Sequence, residues 1–115
     1  MKVFDHEAFK KRCVDDIELE QTIMEGSIPN IPEQLQKIDE AYAGGDAYGL
    51  ERAAHGLKGT SGTLSALQLQ ETAMAIEMSA KSGEVRQEVE QLISTARENY
   101  HAFLEAVKSA GLYEE

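Results

Sequence analysis

The stretch Leu50 to Leu64, LERAAHGLKGTSGTL, constrains this chain more than any other. Leu50, Ala54, Leu57, Ser61 and Leu64 recur at steps of four and three, the period of an α-helix with one apolar face. At about 100° per residue, Leu50, Ala53, Leu57 and Leu64 share one side of the helix. His55 falls roughly opposite, with Lys58, Gly59 and Gly62 as its neighbours three, four and seven positions on. A single amphipathic helix is marginal in water, so its apolar side must be covered by other elements.

The glycines need a physical reason. Each one inside a helix costs about 0.8–1.0 kcal/mol relative to Ala. Gly56, Gly59 and Gly62 together cost roughly 3 kcal/mol, a large part of a small domain's stability. Two readings stand at this point. Either the glycines let a neighbouring helix approach closely, or Gly59 and Gly62 leave the His55 ring bare for something large to reach. Lys58 on the same face favours a reactive site for an anion.

The rest of the chain reads as further helices. Asp5 is a suitable N-cap for a short first helix ending near Cys13 or Val14, with Phe4 and Phe9 placed as a hydrophobic staple. His6 in its first turn reads as a solvated residue. Asp15 to Glu18 is a D-x-x-E capping pattern that opens a second helix. The apolar residues of that helix are Leu19, Ile23, Met24, Ile28, Ile31, Leu35, Ile38 and Tyr42. Pro29 and Pro32 interrupt it, because proline lacks the N–H a helix needs and clashes with the preceding turn. The pattern allows one long bent helix or two segments meeting near residues 28–32.

Gly44-Gly45 ends this helix, and Asp46 caps the third, which carries His55. A fourth helix is expected from about Ala66 to Lys81. Its apolar residues form two stripes, Leu69, Ala73, Ile76 and Ala80, and Leu67, Met74 and Met78, with the methionines read as core filler. A fifth is expected from about Val85 to Ser109, with Val85, Val89, Leu92, Ala96, Tyr100, Phe103 and Val107 facing inward. The tail Leu112-Tyr113-Glu114-Glu115 reads as loose. Short links make consecutive helices antiparallel neighbours. The expected fold is all-α: an antiparallel four-helix bundle of the second to fifth helices, with the short first helix packed across one end.

At 115 residues the chain is expected to form one domain, residues 1–115. Its net charge of −10 argues against nucleic acid and against an anionic membrane surface as partners. Cys13 is the only cysteine, so no intrachain disulfide forms. No apolar run approaches the roughly 20 residues of a membrane span, and MKVFDHEAFKK has no signal-peptide core. The chain is therefore read as cytoplasmic.

His55-Gly56-Leu57-Lys58-Gly59-Thr60-Ser61, followed by Leu64, Ala66, Leu69, Ala73 and Ile76-Glu77, resembles the signature of histidine-containing phosphotransfer (HPt) domains. That family is a helical bundle carrying a phosphoryl group on one exposed histidine between receiver-domain aspartates of phosphorelays. The resemblance implies that His55 is the phosphoacceptor, and it favours one long kinked second helix. It departs at two positions. The family usually has Gly where this chain has Ser65, and often Cys where it has Ala73. Ser65 with Gln68 reads as a capping box for the following helix.

A phosphoryl carrier needs a nitrogen that is neutral at working pH, which an imidazole with an ordinary pKa near 6.5 provides. Lys58, one turn along, is placed to stabilise the phosphoryl oxygens. The resemblance also points to Glu77 as a hydrogen-bonding partner that orients the imidazole, and to Lys81 one turn later. The plain alternative is that Glu77 and Lys81 form an i,i+4 surface pair. Tyr48, Glu51, Arg52, Gly59, Gly62 and Lys81 are the expected partner-binding patch. The implied partners are response-regulator receiver domains, with a hybrid histidine kinase as a further candidate. Mg²⁺ is expected on the receiver; this chain is expected to hold no metal or cofactor, and to be a carrier rather than an enzyme with its own ATP site.

Three other functions compete for these residues. A metal-carboxylate bundle would use Glu98-x-x-His101, but it needs a second such pair and two further inward Glu. A triad hydrolase needs Ser61 near His55 and a strand-turn-helix elbow, and neither is expected. A helical adaptor that binds a receiver or a partner helix without being phosphorylated fits the bundle equally well, but has no use for a bared imidazole.

Overall fold

The computed structural model describes residues 1–114. Six helices follow one another: α1 (His6–Arg12), α2 (Ile17–Ser27), α3 (Asn30–Ala43), α4 (Ala47–Thr63), α5 (Leu67–Ala80) and α6 (Glu88–Ser109). No strand occurs among the described residues. Helix α4 packs on α3 and α5, α5 packs on α6, and α6 closes the ring against α3. This is the expected four-helix bundle.

Two short links set the geometry of α4. Gly45 adopts φ 65°, the left-handed conformation that glycine reaches without strain, and ends α3. Asp46 follows and accepts a hydrogen bond from the Gly49 N–H, capping α4 as expected. Leu50, Leu57 and Leu64 are wholly buried. Together they contribute roughly 5–9 kcal/mol of apolar burial. That exceeds the roughly 3 kcal/mol cost of the three glycines, so the segment stays helical.

The proline segment breaks the helix instead of kinking it. Helix α2 ends at Ser27, Pro29 is the N-cap of α3, and Pro32 lies in its first turn. A missing N–H costs nothing there, because first-turn N–H groups have no intrahelical partner. The break is small. Ile28 and Pro29 keep right-handed dihedrals, and the Ile31 N–H donates to the Ile28 carbonyl. Met24, Ile28, Ile31, Leu35 and Ile38 thus remain one buried stripe across it.

The first helix lies across one end, where α4 turns into α5. Asp5 caps it by accepting from the Ala8 N–H, and Phe4 meets Phe9 with ring centroids 6.0 Å apart. Phe4 also meets Phe103 of α6 edge-on. The Asp5 N–H donates to the Ser65 carbonyl. Arg12 donates to the carbonyl of Thr63 and to the Ser65 hydroxyl, satisfying acceptors at the C-terminus of α4.

Several local expectations are corrected here. Asp16, not Asp15, caps α2, accepting from the N–H groups of Glu18 and Leu19. Asp15 and Val14 both take left-handed dihedrals in the α1–α2 turn. Ser65 and Gln68 form no capping box. Ser65 has φ 56°, which explains why glycine suits this position, and Gln68 donates to the Met1 carbonyl. Helix α6 begins at Glu88, with Val85 half-buried in the preceding connection. The tail is docked: Leu112 is buried, its N–H donates to Val107, and Gln21 donates to the Gly111 carbonyl. Glu115 lies outside the described residues. His6 is not merely solvated. It stacks on Phe4 and bonds the buried Glu20 at 3.2 Å, tying α1 to α2.

Val14 offers a direct test of the turn. It is exposed and β-branched at φ 49°, a conformation costing about 1–2 kcal/mol for a residue with a Cβ. Val14→Gly is expected to raise stability by about 0.5–1 kcal/mol, the relief of strain less the entropy of the added glycine. Urea unfolding measures this, and a lowered midpoint would show that the turn is not as described.

Candidate functional site

Helix α4 carries His55 near its middle, and α5 returns antiparallel beside it. In such a hairpin, residues equally far from the turn come together. His55 and Glu77 are each eleven positions from Ala66, and they meet. His55 Nδ1 lies 2.7 Å from Glu77 Oε2, and Lys58 Nζ lies 2.7 Å from Glu77 Oε1. One carboxylate thus holds the imidazole with one oxygen and the ammonium with the other. The Glu77 side chain is only 5% exposed, whereas that of His55 is 54% exposed.

The electrostatics follow from this contact. The hydrogen bond from Lys58, and secondarily that from His55, hold the Glu77 carboxyl below its ordinary range, against desolvation that pushes it up. An ionised carboxylate offers only acceptors, so the ring hydrogen sits on Nδ1. The neutral ring then has its free lone pair on Nε2. Burial of the carboxylate keeps the pair fixed, while exposure of the ring leaves the second nitrogen accessible.

The i,i+4 pairing of Glu77 with Lys81 is not what the structure shows, since both Glu77 oxygens are taken by His55 and Lys58. Lys81 is exposed one turn beyond. Tyr48 and Arg52 are also exposed, on the His55 side of α4, and Glu51 is half-buried. The three glycines divide between the two readings. A Cβ on Gly56 would stand 3.6 Å from Gln34 of α3, and one on Gly62 would meet Gln70 of α5 at 2.7 Å. The first is an ordinary van der Waals distance and the second is to the end of a flexible side chain, so of the two only Gly62 crowds a neighbouring helix. Gly62 is therefore corrected from a bare docking residue to a half-buried packing position. Only Gly59 opens onto free space.

The methionine expectation is also corrected. Met74 and Met78 are 47% and 60% exposed, respectively. The stripe of Leu69, Ala73, Ile76 and Ala80 already fills the buried side of α5, leaving the other stripe outward. That conflict between two stripes was visible in the sequence. The methionines flank Glu77 in sequence and, with Tyr48, place exposed apolar side chains on the two helices that form the site.

Two of the competing functions, the triad hydrolase and the metal-carboxylate bundle, lose their footing. Ser61 is buried and donates to the Leu57 carbonyl at 2.7 Å, away from His55. Glu98 and His101 are exposed on α6, not inward as a bundle metal centre needs. No helix among the described residues is long and apolar enough to cross a membrane.

Fold and site together define a helical bundle that presents one histidine, oriented from behind, on its outer surface. The sequence matches the Hpt domain family over residues 23–110, and the chain belongs to that family. No curated protein and no solved structure matched it. Hpt domains carry phosphoryl groups in the phosphorelays of two-component signalling and interact with receiver domains of response regulators.

Two measurements check the site's construction. Gly59→Ala is expected to stabilise the domain by about 0.8–1.0 kcal/mol, the helix-propensity gain with no steric penalty. Gly62→Ala is expected to gain less, because Gln70 must move aside; equal gains in denaturant unfolding would contradict the packing described. The second concerns pH. A carboxyl whose folded pKa is lowered contributes stability above its unfolded value, near 4.5, and loses it as pH falls through the folded value. Glu77→Gln is expected to flatten the acid limb of the stability curve below that pH, and parallel wild-type and variant curves would overturn this.

Proposed function

We propose that His55 is the phosphoacceptor of a phosphorelay, taking the group from a receiver-domain aspartate and passing it to another receiver. The single observation that supports this most is the contact of Glu77 with His55 Nδ1 on an otherwise exposed ring. Nε2 attacks phosphorus, the acyl-phosphate bond breaks, and its electron pair leaves on the aspartate oxygen. Such a transfer needs mainly alignment and charge stabilisation. Lys58 serves both, holding Glu77 with one N–H and keeping further donors for the phosphoryl oxygens.

The docking surface in this reading comprises Tyr48, Arg52, Gly59 and Lys81, with Glu51 at its margin and Met74 and Met78 added. The Mg²⁺ belongs to the receiver. The domain acts as a covalent intermediate in its partners' chemistry, in the cytoplasm, as a free-standing carrier or attached to a hybrid kinase. A helical adaptor without phosphorylation is the second reading, and exposed Tyr48, Met74 and Met78 suit it equally.

Incubation with a phosphorylated receiver separates the two. An acid-labile, base-stable phosphate is expected on the wild type and absent from His55→Gln. Label retained by the variant would refute the site, and no transfer from any receiver would favour the adaptor. Gly59→Leu is expected to stay folded and transfer at least about tenfold more slowly, equivalent to about 1.4 kcal/mol of barrier. Lys58→Ala is expected to lose rate with the fold retained. An unchanged rate in folded Gly59→Leu would remove the steric role of that glycine.

A further inference from the structure

We propose that Glu77, paired with Lys58, keeps the Nδ1 proton on the His55 ring after transfer, so that phospho-His55 exists as a phosphoimidazolium and no proton enters or leaves the site as the group passes through. This rests on the phosphoacceptor reading above.

The proton inventory follows from the geometry. Before transfer, Nδ1 carries hydrogen and donates to Glu77 Oε2 at 2.7 Å. Attack uses the Nε2 lone pair, so the product ring carries one positive charge unless Nδ1 releases its hydrogen. Loss of that proton to water would take from the buried carboxylate the charged donor it faces, and the other receiving atom within reach is Glu77 Oε2. Moving the proton there would neutralise the carboxyl and break its ion pair with Lys58, which lies 2.7 Å from the other oxygen. Lys58 is partly shielded at 30% exposure and Glu77 almost wholly so, which keeps that pair strong. The proton therefore stays on the ring.

The surroundings do not reverse this balance. On α4 the other charged groups near His55 are Glu51 and Arg52, of opposite sign and roughly one turn back. On α5 Lys81 adds a second cation one turn beyond Glu77. Helix α6 sends Glu88 to the Ser79 hydroxyl. On the α3 flank, Lys37 and Glu40 line a separate groove with Arg52.

The retained proton has a chemical consequence. When the P–N bond next breaks, the bonding electrons return to Nε2 and the ring leaves as neutral imidazole. A ring without that proton would leave as imidazolate, a far poorer leaving group. The network thus favours rapid transfer in either direction over long storage, and makes transfer insensitive to pH near neutrality. Glu77 acts as a positioning residue that sets the carrier's lifetime.

The test uses the whole protein, ¹⁵N-labelled at histidine and phosphorylated with phosphoramidate, which needs no receiver. Ring ¹⁵N shifts report the Nδ1 proton, and ³¹P spectra follow P–N hydrolysis from pH 5 to 9. The Nδ1 midpoint of phospho-His55 is expected at least about one unit higher in the wild type than in Glu77→Gln, a roughly tenfold difference in the ratio of protonated to unprotonated ring. The P–N bond of the variant is expected to last several-fold longer at pH 8. Lys58→Met removes a cation that opposes charge on the ring and keeps the carboxylate bonded to Nδ1, so its Nδ1 midpoint is expected to stay well above that of Glu77→Gln. Coinciding midpoints and lifetimes in the folded proteins would overturn the proposal while leaving the phosphoacceptor reading intact. If neither phosphoramidate nor a phosphorylated receiver labels His55, the phosphoacceptor reading falls and takes this one with it.

Discussion

A buried carboxylate between two donors is the interaction on which this site depends. Glu77 is nearly inaccessible to water, and an ionised carboxyl in that position is costly unless both oxygens are bonded. Here each oxygen has one partner, the imidazole of His55 and the ammonium of Lys58. Both partners come from α4, three residues apart, so the contact fixes the register of α5 against α4 as well as the ring. A structural requirement and a chemical one are met by the same atoms. Removing either partner leaves a buried charge poorly matched, which is why the exposed histidine is not also a loose one.

Around that contact the bundle supplies position and little else. The leucines of α4 anchor the helix by its inner face, and the absence of a side chain at Gly59 leaves the outer face low. Helix α4 accepts the propensity cost of that glycine in exchange for reach, a form of the familiar opposition between stability and function. Gly62 has a different purpose, leaving room for the amide of Gln70 on α5, while the Gln34 amide of α3 donates to the Thr60 hydroxyl. Arg12 of the first helix then closes the far end of α4 on its last carbonyls. Each neighbour of α4 is thus tied to it by a specific polar contact over an apolar seam.

Much of this was legible in the sequence because it depends on periodicity. The four-three spacing of Leu50 to Leu64 located the core side of α4 and put His55 opposite. The link at 64–66 made α4 and α5 antiparallel. What could not be read depends on competition between near-equal local choices. Asp15 and Asp16 are both good caps, and only the left-handed turn at Val14 and Asp15 decides for the second. The prolines permit a kink or a break, and the break prevails because it puts both rings where no N–H is needed. Met74 and Met78 looked like core because apolar residues usually are, yet the opposite stripe of α5 already filled the interior. Leu112 looked loose because it lies in the terminal residues, but Gly111 turns the chain back and buries it. Gly62 was misplaced for lack of the hairpin register, which sets it opposite Gln70 at equal distance from Ala66.

The most direct measurement of the central claim is the identity of the ring nitrogen that carries the group. ³¹P and ¹⁵N spectra of the phosphorylated protein distinguish the two isomers of phosphohistidine. With Nδ1 engaged by Glu77, phosphorus is expected on Nε2 of His55 alone. A phosphoryl group on Nδ1 would require Glu77 to have let go of the ring, and would contradict the claim that this carboxylate decides how the histidine is presented.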